Sequence, residues 1–202
     1  MHALIVGEQG VGKSTLIARV RKELGLREAG VETVREVSMT EERGAPVFLY
    51  RVGSPRTKGP DNLAAYVKPG GKTSFPQVFD RSAPLLKQDA GDAELIVLEN
   101  IGNLVCPAEF DTGAAINMTI LSVPEGDDKP AKYPLMYETC DMLVVNKIDT
   151  LPVFDFDRER MEGYARARNP EIEIYYISAK TGEGVQELAD ALVKKVKEWN
   201  AN

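Results

Sequence analysis

The sequence is poor in histidine and cysteine. It has one histidine, His2, and two cysteines, Cys106 and Cys140, among 202 residues, and no Cys-x-x-Cys pair. A disulfide framework is therefore not expected, and few of the nitrogen and sulfur ligands that transition metals prefer are present. No apolar run reaches the length of a membrane span, so no transmembrane helix is expected.

Positive charge is also in short supply. There are 25 Lys and Arg residues against 31 Asp and Glu, a net charge of −6, which argues against nucleic acid as a bulk partner. The hydrophobic content of 43% and charged content of 28% are ordinary for a globular protein. A strand predicted from Ala3 leaves no room for a signal peptide. We therefore expect a cytoplasmic protein that binds neither membrane nor nucleic acid.

A complete phosphate-binding motif follows the first predicted strand. Residues 7–15 read GEQGVGKST, directly after the apolar run ALIV and before a predicted helix. Glycines let the backbone curl so that N–H groups face phosphate oxygens, and the helix start adds its positive dipole end. Lys13 is expected to reach the β and γ phosphates, and the Ser14 hydroxyl to ligate Mg²⁺. The predicted nucleotide contacts are Gly7, Gly10, Val11, Gly12, Lys13, Ser14 and Thr15.

A second motif indicates which base is bound. The apolar residues 142–145 are followed by Asn146, Lys147 and, after one further residue, Asp149, an N-K-x-D pattern. Guanine alone presents an N1–H and a 2-amino donor together, and the Asp149 carboxylate can accept both. The Lys147 stem can cover the face of the base, and Asn146 can tie this loop to the phosphate loop.

A third motif agrees with the second. Ser178, Ala179 and Lys180 follow the apolar run 172–177, and a turn of this kind uses the backbone N–H of Ala179 to contact the guanine oxygen. Three ordered motifs favour GTP and GDP over adenine nucleotides. Because each follows a predicted strand, they can converge on one edge of a parallel sheet.

Strand and helix patterns alternate along the chain. Strands are predicted at 3–6, 47–50, 95–98, 118–123, 142–145 and 172–177, and helices at 13–24 and 183–199. The run 95–98 has the apolar character of a fully buried strand. This order predicts the α/β class, a three-layer P-loop NTPase fold with a mostly parallel β-sheet flanked by helices. The length suits a single domain over residues 1–202.

The segment 51–73 has the least regular pattern and is rich in glycine, proline, lysine and arginine. We predict a flexible loop or a switch-associated insertion here, since long irregular loops are often either mobile or functional. A solvated loop, a nucleotide-sensing switch, a partner surface and a substrate lid all fit the composition.

From residue 94 to residue 199 the sequence resembles one family of GTPases. It reads ENIGNLVCP at 99–107, FD at 110–111, LSVPEGDDKP at 121–130 and KYP at 132–134. Together with the nucleotide motifs, these residues are similar to the HypB-type hydrogenase/urease nickel-incorporation GTPases, which are P-loop GTPases. The resemblance implies slow Mg²⁺-dependent GTP hydrolysis, a nucleotide-dependent homodimer, and metal delivery to an apo-metalloenzyme or an accessory maturation protein.

The resemblance also gives roles to Glu99 and Gly102, which stand at the second acidic switch of the family. Glu99 could hold the Mg²⁺ shell or orient water; the alternative is a carboxylate that merely ends a strand. Gly102 could offer its N–H to the γ-phosphate, so that this turn moves on hydrolysis. With Lys13, these two residues make up the predicted catalytic set.

Cys106 matches the family cysteine that helps to bind Zn²⁺ or Ni²⁺ between subunits. The other family ligands are an adjacent Cys-His pair, whose positions fall near Ser74 and Phe75 in this sequence, and neither is a soft ligand. Two interpretations of Cys106 therefore stay open, a Ni²⁺ or Zn²⁺ ligand and a packed cysteine. Cys140 is expected in the core.

The leading hypothesis is a GTP-binding protein with GTPase activity that acts in hydrogenase or metalloenzyme maturation. GTP would favour a closed homodimer and GDP an open one. Two alternatives stay open: a metal-binding chaperone that stores or transfers nickel or zinc, and a P-loop nucleoside triphosphatase or kinase that acts on a small substrate.

Overall fold

The computed structural model describes residues 1–26, 31–35, 45–51, 58, 63–68, 71–74, 93, 95–99 and 113–201. The chain divides into two compact units, one formed by Met1–Leu26 with Glu94–Asn202 and the other by Arg27–Ala93. The single domain expected over residues 1–202 stays a prediction, because compactness alone does not show which parts fold together.

The described residues form nine strands and five α-helices, and strand–helix alternation holds for part of the chain only. In chain order the strands are β1 (His2–Val6), β2 (Val31–Arg35), β3 (Ala45–Arg51), β4 (Leu63–Lys68), β5 (Gly71–Ser74), β6 (Ile96–Glu99), β7 (Ile116–Ser122), β8 (Met142–Asn146) and β9 (Glu173–Tyr176). The helices are α1 (Lys13–Glu23), α2 (Lys129–Lys132), α3 (Pro134–Glu138), α4 (Arg158–Arg168) and α5 (Val185–Ala201), with 3₁₀ turns at Val123–Glu125 and Ile148–Thr150. No helix in these described ranges is long and apolar enough to cross a membrane.

The first unit is built on an all-parallel five-stranded sheet in the order β6-β1-β7-β8-β9. Side chains alternate between the two faces of each strand, so Ile5 joins one hydrophobic cluster while Leu4 and Val6 join the other. Helices α1 and α5 cover the Ile5 face, and α3 and α4 cover the opposite face. The predicted α/β class and its three layers are therefore confirmed.

The second unit carries a four-stranded antiparallel sheet in the order β2-β3-β4-β5. The predicted strand at 47–50 lies within β3 and so belongs to this sheet, not to the parallel one. Two more strands, β4 and β5, overlap the segment 51–73, where a loop or insertion was predicted. Those parts are strands, and the role of the segment stays a prediction.

One prediction about burial is wrong. Residues 95–98 were expected to form a fully buried strand, but in β6 Val97 is 37% exposed and Leu98 is 54% exposed. Among the described strands, β6 has β1 as its partner and stands at the end of the sheet. An end strand has a neighbour on one side, so apolar residues there keep part of their surface in contact with water.

Candidate nucleotide-binding site

The phosphate loop runs from the end of β1 to the start of α1. Gly10 has φ 84° and Gly12 has φ 101°, left-handed values that glycine adopts without a steric penalty. A Cβ atom on Gly12 would stand 2.5 Å from the side-chain nitrogen of Asn146. Position 12 therefore requires glycine both for its backbone angle and for the close approach of a second loop.

The Lys13 side chain folds back over this loop. It is 6% exposed, and its Nζ donates to the backbone carbonyl oxygens of Gly7 and Glu8, each at 2.9 Å. Burial lowers the pKa of the ammonium group, while the charges of Glu99 and Glu125 act in the opposite direction. The cation is thus held within the loop where phosphate oxygens would meet it.

Ser14 and Glu99 meet although they are far apart in sequence. The Ser14 hydroxyl donates to Glu99 Oε1 at 2.7 Å, because the first turn of α1 and the end of β6 reach the same edge of the sheet. A hydroxyl and a carboxylate oxygen are the hard ligands that Mg²⁺ prefers. The two predicted Mg²⁺ ligands are therefore adjacent and chemically suited to that ion.

Asn146 joins the phosphate loop to the loops that carry the base motifs. Its Nδ2 donates to the Val11 carbonyl at 2.7 Å, and its Oδ1 accepts the Ala179 N–H at 3.0 Å. Oδ1 also accepts the N–H of Lys147 at 2.8 Å. The side chain is 2% exposed. The predicted tie to the phosphate loop is present, and the three motifs do converge on one edge of the sheet.

The remaining base-motif residues lie on the same edge. The Ser178 hydroxyl donates to Asp149 Oδ1 at 2.7 Å, which fixes one oxygen of the exposed Asp149 carboxylate. Lys147 adopts a left-handed backbone with φ 62°, and Lys180 is exposed. The Ala179 N–H, predicted to meet the guanine oxygen, is already bonded to Asn146. Guanine would therefore have to share this donor with the Asn146 oxygen.

Two charged residues of the site were not singled out from the sequence. Glu8, the second residue of the phosphate loop, forms an ion pair with Lys129, whose Nζ lies 2.6 Å from Glu8 Oε1. Glu125 accepts hydrogen bonds from the backbone N–H and the hydroxyl of Ser122, each at 2.7 Å, and burial raises its pKa. The sequence does hold a signal for this pair: an acidic residue inside an anion-binding loop predicts a nearby cationic partner.

The predicted Ni²⁺ or Zn²⁺ ligand and one residue of the predicted catalytic set lie outside the described residues. Both Gly102 and Cys106 lie there, so their roles stay predictions. Cys140 is 1% exposed, which confirms its place in the core, and burial raises the pKa of its thiol to about 11. In the described part of the chain, no group of three or more His, Cys, Asp or Glu side chains could hold a metal ion.

Comparison with known proteins agrees with this geometry. Residues 71–176 match the family described as CobW/HypB/UreG, nucleotide-binding domain. The chain belongs to this family. Hydrogenase maturation factor HypB of Azotobacter vinelandii is 37% identical over 189 residues, which cover 91% of this chain and 56% of that protein. The resemblance to the HypB type is thereby confirmed, while the chain spans a little over half the length of that curated relative.

Solved structures of the CobW/HypB/UreG family share the fold. Hydrogenase maturation factor HypB from Archaeoglobus fulgidus superposes with a TM-score of 0.63 and 25% identity, over 95% of this chain and 87% of that one. HypB from Helicobacter pylori in complex with nickel gives a TM-score of 0.66 at 22% identity, over 98% and 87% of the two chains. The P-loop NTPase-like fold predicted from the sequence is confirmed.

Proposed function

We propose that this chain is a GTP-binding switch with slow, Mg²⁺-dependent GTP hydrolysis, and that it acts in the maturation of a metalloenzyme. One observation carries the proposal: the Asn146 side chain bonds both to the phosphate loop at Val11 and to the guanine loop at Ala179. The loop proposed to bind the triphosphate and the loop proposed to bind guanine are thus held by one side chain, which supports the switch hypothesis.

The hydrolytic step would rest on charge neutralisation and positioning, which dominate phosphoryl transfer. Lys13 and the loop N–H groups would hold the phosphates, and Ser14 and Glu99 would hold Mg²⁺. Bound there, Mg²⁺ would neutralise negative charge on the phosphate oxygens. A site that works by positioning alone, without an activating partner, is expected to turn over slowly.

The maturation role rests on the relatives. The Azotobacter vinelandii protein is named a hydrogenase maturation factor, and the Helicobacter pylori structure contains nickel. We extend to this chain a role in which Ni²⁺ or Zn²⁺ is the cargo, Cys106 is one ligand, and the receiver is an apo-metalloenzyme or an accessory maturation protein. A closed homodimer would form with GTP and an open one with GDP.

Nucleotide titrations test the first part of the proposal. Calorimetric titration with GTP, GDP and ATP, each with Mg²⁺, should give clear binding of both guanine nucleotides and much weaker binding of ATP. Equal or tighter binding of ATP would contradict guanine selection and favour the small-substrate kinase or triphosphatase. Transfer of phosphate from the nucleotide to a small molecule would support the same alternative, provided that no phosphate is released when the small molecule is left out.

Light scattering coupled to size exclusion tests the switch and the metal together. A closed dimer should appear as a more compact species with a non-hydrolysable GTP analogue than with GDP. Metal analysis of the same fractions, after loading with Ni²⁺ or Zn²⁺, should find about one ion per dimer if Cys106 is a shared ligand. Metal bound with no dependence on nucleotide would instead favour the chaperone hypothesis.

A further inference from the structure

A carboxylate stands inside the loop that is meant to receive phosphates. Glu8 is the second residue of the phosphate loop, its side chain is 33% exposed, and its backbone carbonyl accepts a hydrogen bond from Lys13 at 2.9 Å. A negative charge at this place repels a polyanion, and the repulsion is strong because the surroundings are partly desolvated. Glu8 therefore needs a neutralising partner if a triphosphate is to bind.

Lys129 is that partner. Its Nζ lies 2.6 Å from Glu8 Oε1, and its side chain is only 14% exposed. Burial alone would lower the pKa of Lys129, but the hydrogen bond and the charge of Glu8 outweigh this and raise it. The Lys129 ammonium also lies 5.6 Å from the centre of the Tyr133 ring. Lys129 is thus a largely buried cation whose ammonium group contacts the phosphate loop at Glu8.

Asp127, two residues before Lys129 in sequence, holds the backbone of this segment in place. The Asp127 side chain is 5% exposed and accepts two hydrogen bonds from the Arg160 guanidinium, at 3.1 and 2.6 Å. It also accepts the backbone N–H of Asp157 at 2.8 Å, at the N-terminus of α4. These three bonds attach the loop before α2 to α4. The backbone that carries Lys129 is therefore held in place.

The charge balance of the site depends on Lys129. Three carboxylates, Glu8, Glu99 and Glu125, act on two lysines, Lys13 and Lys129. Loss of Lys129 would leave Lys13 as the one lysine of this group against three acidic side chains.

We propose that Lys129 is a positioning residue for the triphosphate, which acts by neutralising Glu8 so that the phosphate loop keeps a positive potential. This inference rests on the proposed GTP binding. Lys129 need not touch the nucleotide, and its contribution should grow with the number of ligand charges.

Double-mutant titrations with GTP, GDP and GMP test the proposal. Lys129→Met should weaken GTP binding by about tenfold or more, since one uncompensated charge near a polyanion has an effect of this order. The loss should be smaller for GDP and smallest for GMP. Glu8→Gln in the Lys129→Met background should restore GTP binding to within about threefold of wild type. Lys132→Met is the matched control, because Lys132 lies in the same helix and pairs with exposed Asp128; it should bind GTP like wild type.

Glu8→Gln alone gives an independent measurement that does not depend on the folding of the lysine variant. This variant should bind GTP more tightly than wild type does, and its increase in affinity should be larger for GTP than for GMP. The proposal is overturned if Lys129→Met binds GTP as wild type does, if the double variant is as weak as Lys129→Met, or if Glu8→Gln weakens GTP binding. Failure of wild type to bind any guanine nucleotide would instead refute the proposed function itself.

Discussion

Asn146 uses both ends of one amide, and the two ends cannot be exchanged. Its Nδ2 donates to the Val11 carbonyl, whereas its Oδ1 accepts N–H groups from Lys147 and Ala179. Asn146→Asp keeps the shape but places an acceptor 2.7 Å from a carbonyl oxygen. A buried acceptor without a donor costs about 1–3 kcal/mol. We expect a matching fall in unfolding free energy, together with loss of guanine-nucleotide binding.

Asn169 supplies the control for this substitution. Its Nδ2 donates to the Cys140 carbonyl at 2.9 Å and its Oδ1 accepts the Glu171 N–H at 3.0 Å, so its bonding resembles that of Asn146 but involves neither the phosphate loop nor the base-motif loops. Asn169→Asp should lower the melting temperature while GTP binds normally. A similar loss of GTP binding in both variants would mean that Asn146 acts through stability alone.

Asp149 is expected to decide between guanine and xanthine. Its carboxylate can accept from the guanine N1–H and 2-amino groups, while the Ser178 hydroxyl holds Oδ1 at 2.7 Å. Asp149→Asn keeps that oxygen but supplies a donor, which suits the 2-oxo group of xanthine. Competition titrations should show the preference move from GTP towards xanthosine triphosphate. An unchanged ratio of the two dissociation constants would contradict the assignment of Asp149 to the base.

At the scale of elements, the contact between α4 and the loop before α2 predicts a dependence on pH. Burial alone would raise the pKa of Asp127, but hydrogen bonds from Arg160 and from the Asp157 N–H outweigh it and lower the pKa below its ordinary range. A carboxyl group with a lowered folded-state pKa stabilises the protein above its unfolded pKa and ceases to do so as the pH falls through the folded value.

Asp127→Asn should therefore lower the unfolding free energy by about 2 kcal/mol at neutral pH, since hydrogen bonds to a charged group are lost. Urea titrations at several pH values would show a constant difference from wild type well above the ordinary pKa of an aspartate and a shrinking difference below it. A difference that stays the same in acid would show that the Asp127 charge contributes nothing.

Local sequence patterns predicted where individual strands and helices lie, but not which elements pack beside them. The five residues of β8 are all buried, and a continuous apolar run is enough to indicate such a strand. The same type of run misled at β6, because burial also depends on how many strands flank it. Likewise, the pattern at 47–50 does not say which sheet the strand joins. Glu8 and Lys129 are 121 residues apart, and no local periodicity reports a pairing over that separation.

At the scale of the whole molecule, ligand binding and stability are linked. A nucleotide that binds only the folded state at about 100 times its dissociation constant adds about 2.7 kcal/mol, which for a chain of this size raises the melting temperature by roughly 5–10 °C. Thermal unfolding with GDP and Mg²⁺ should show this rise. Lys13→Ala should lose most of it, because the buried cation of the phosphate loop is gone; an equal rise in that variant would argue against nucleotide binding at this loop.

The bridge made by Asn146 also has a consequence for inhibitor design. The proposed phosphate and base sites would not be independent targets, since the Asn146 side chain, which is 2% exposed, bonds to a loop of each. A fragment that accepts a hydrogen bond from the Ala179 N–H would compete with Asn146 Oδ1. It would thereby weaken the hydrogen bond from Asn146 Nδ2 to the Val11 carbonyl. Compounds aimed at the proposed base site should therefore be screened with and without pyrophosphate, because a ligand at one loop would act on the other through Asn146.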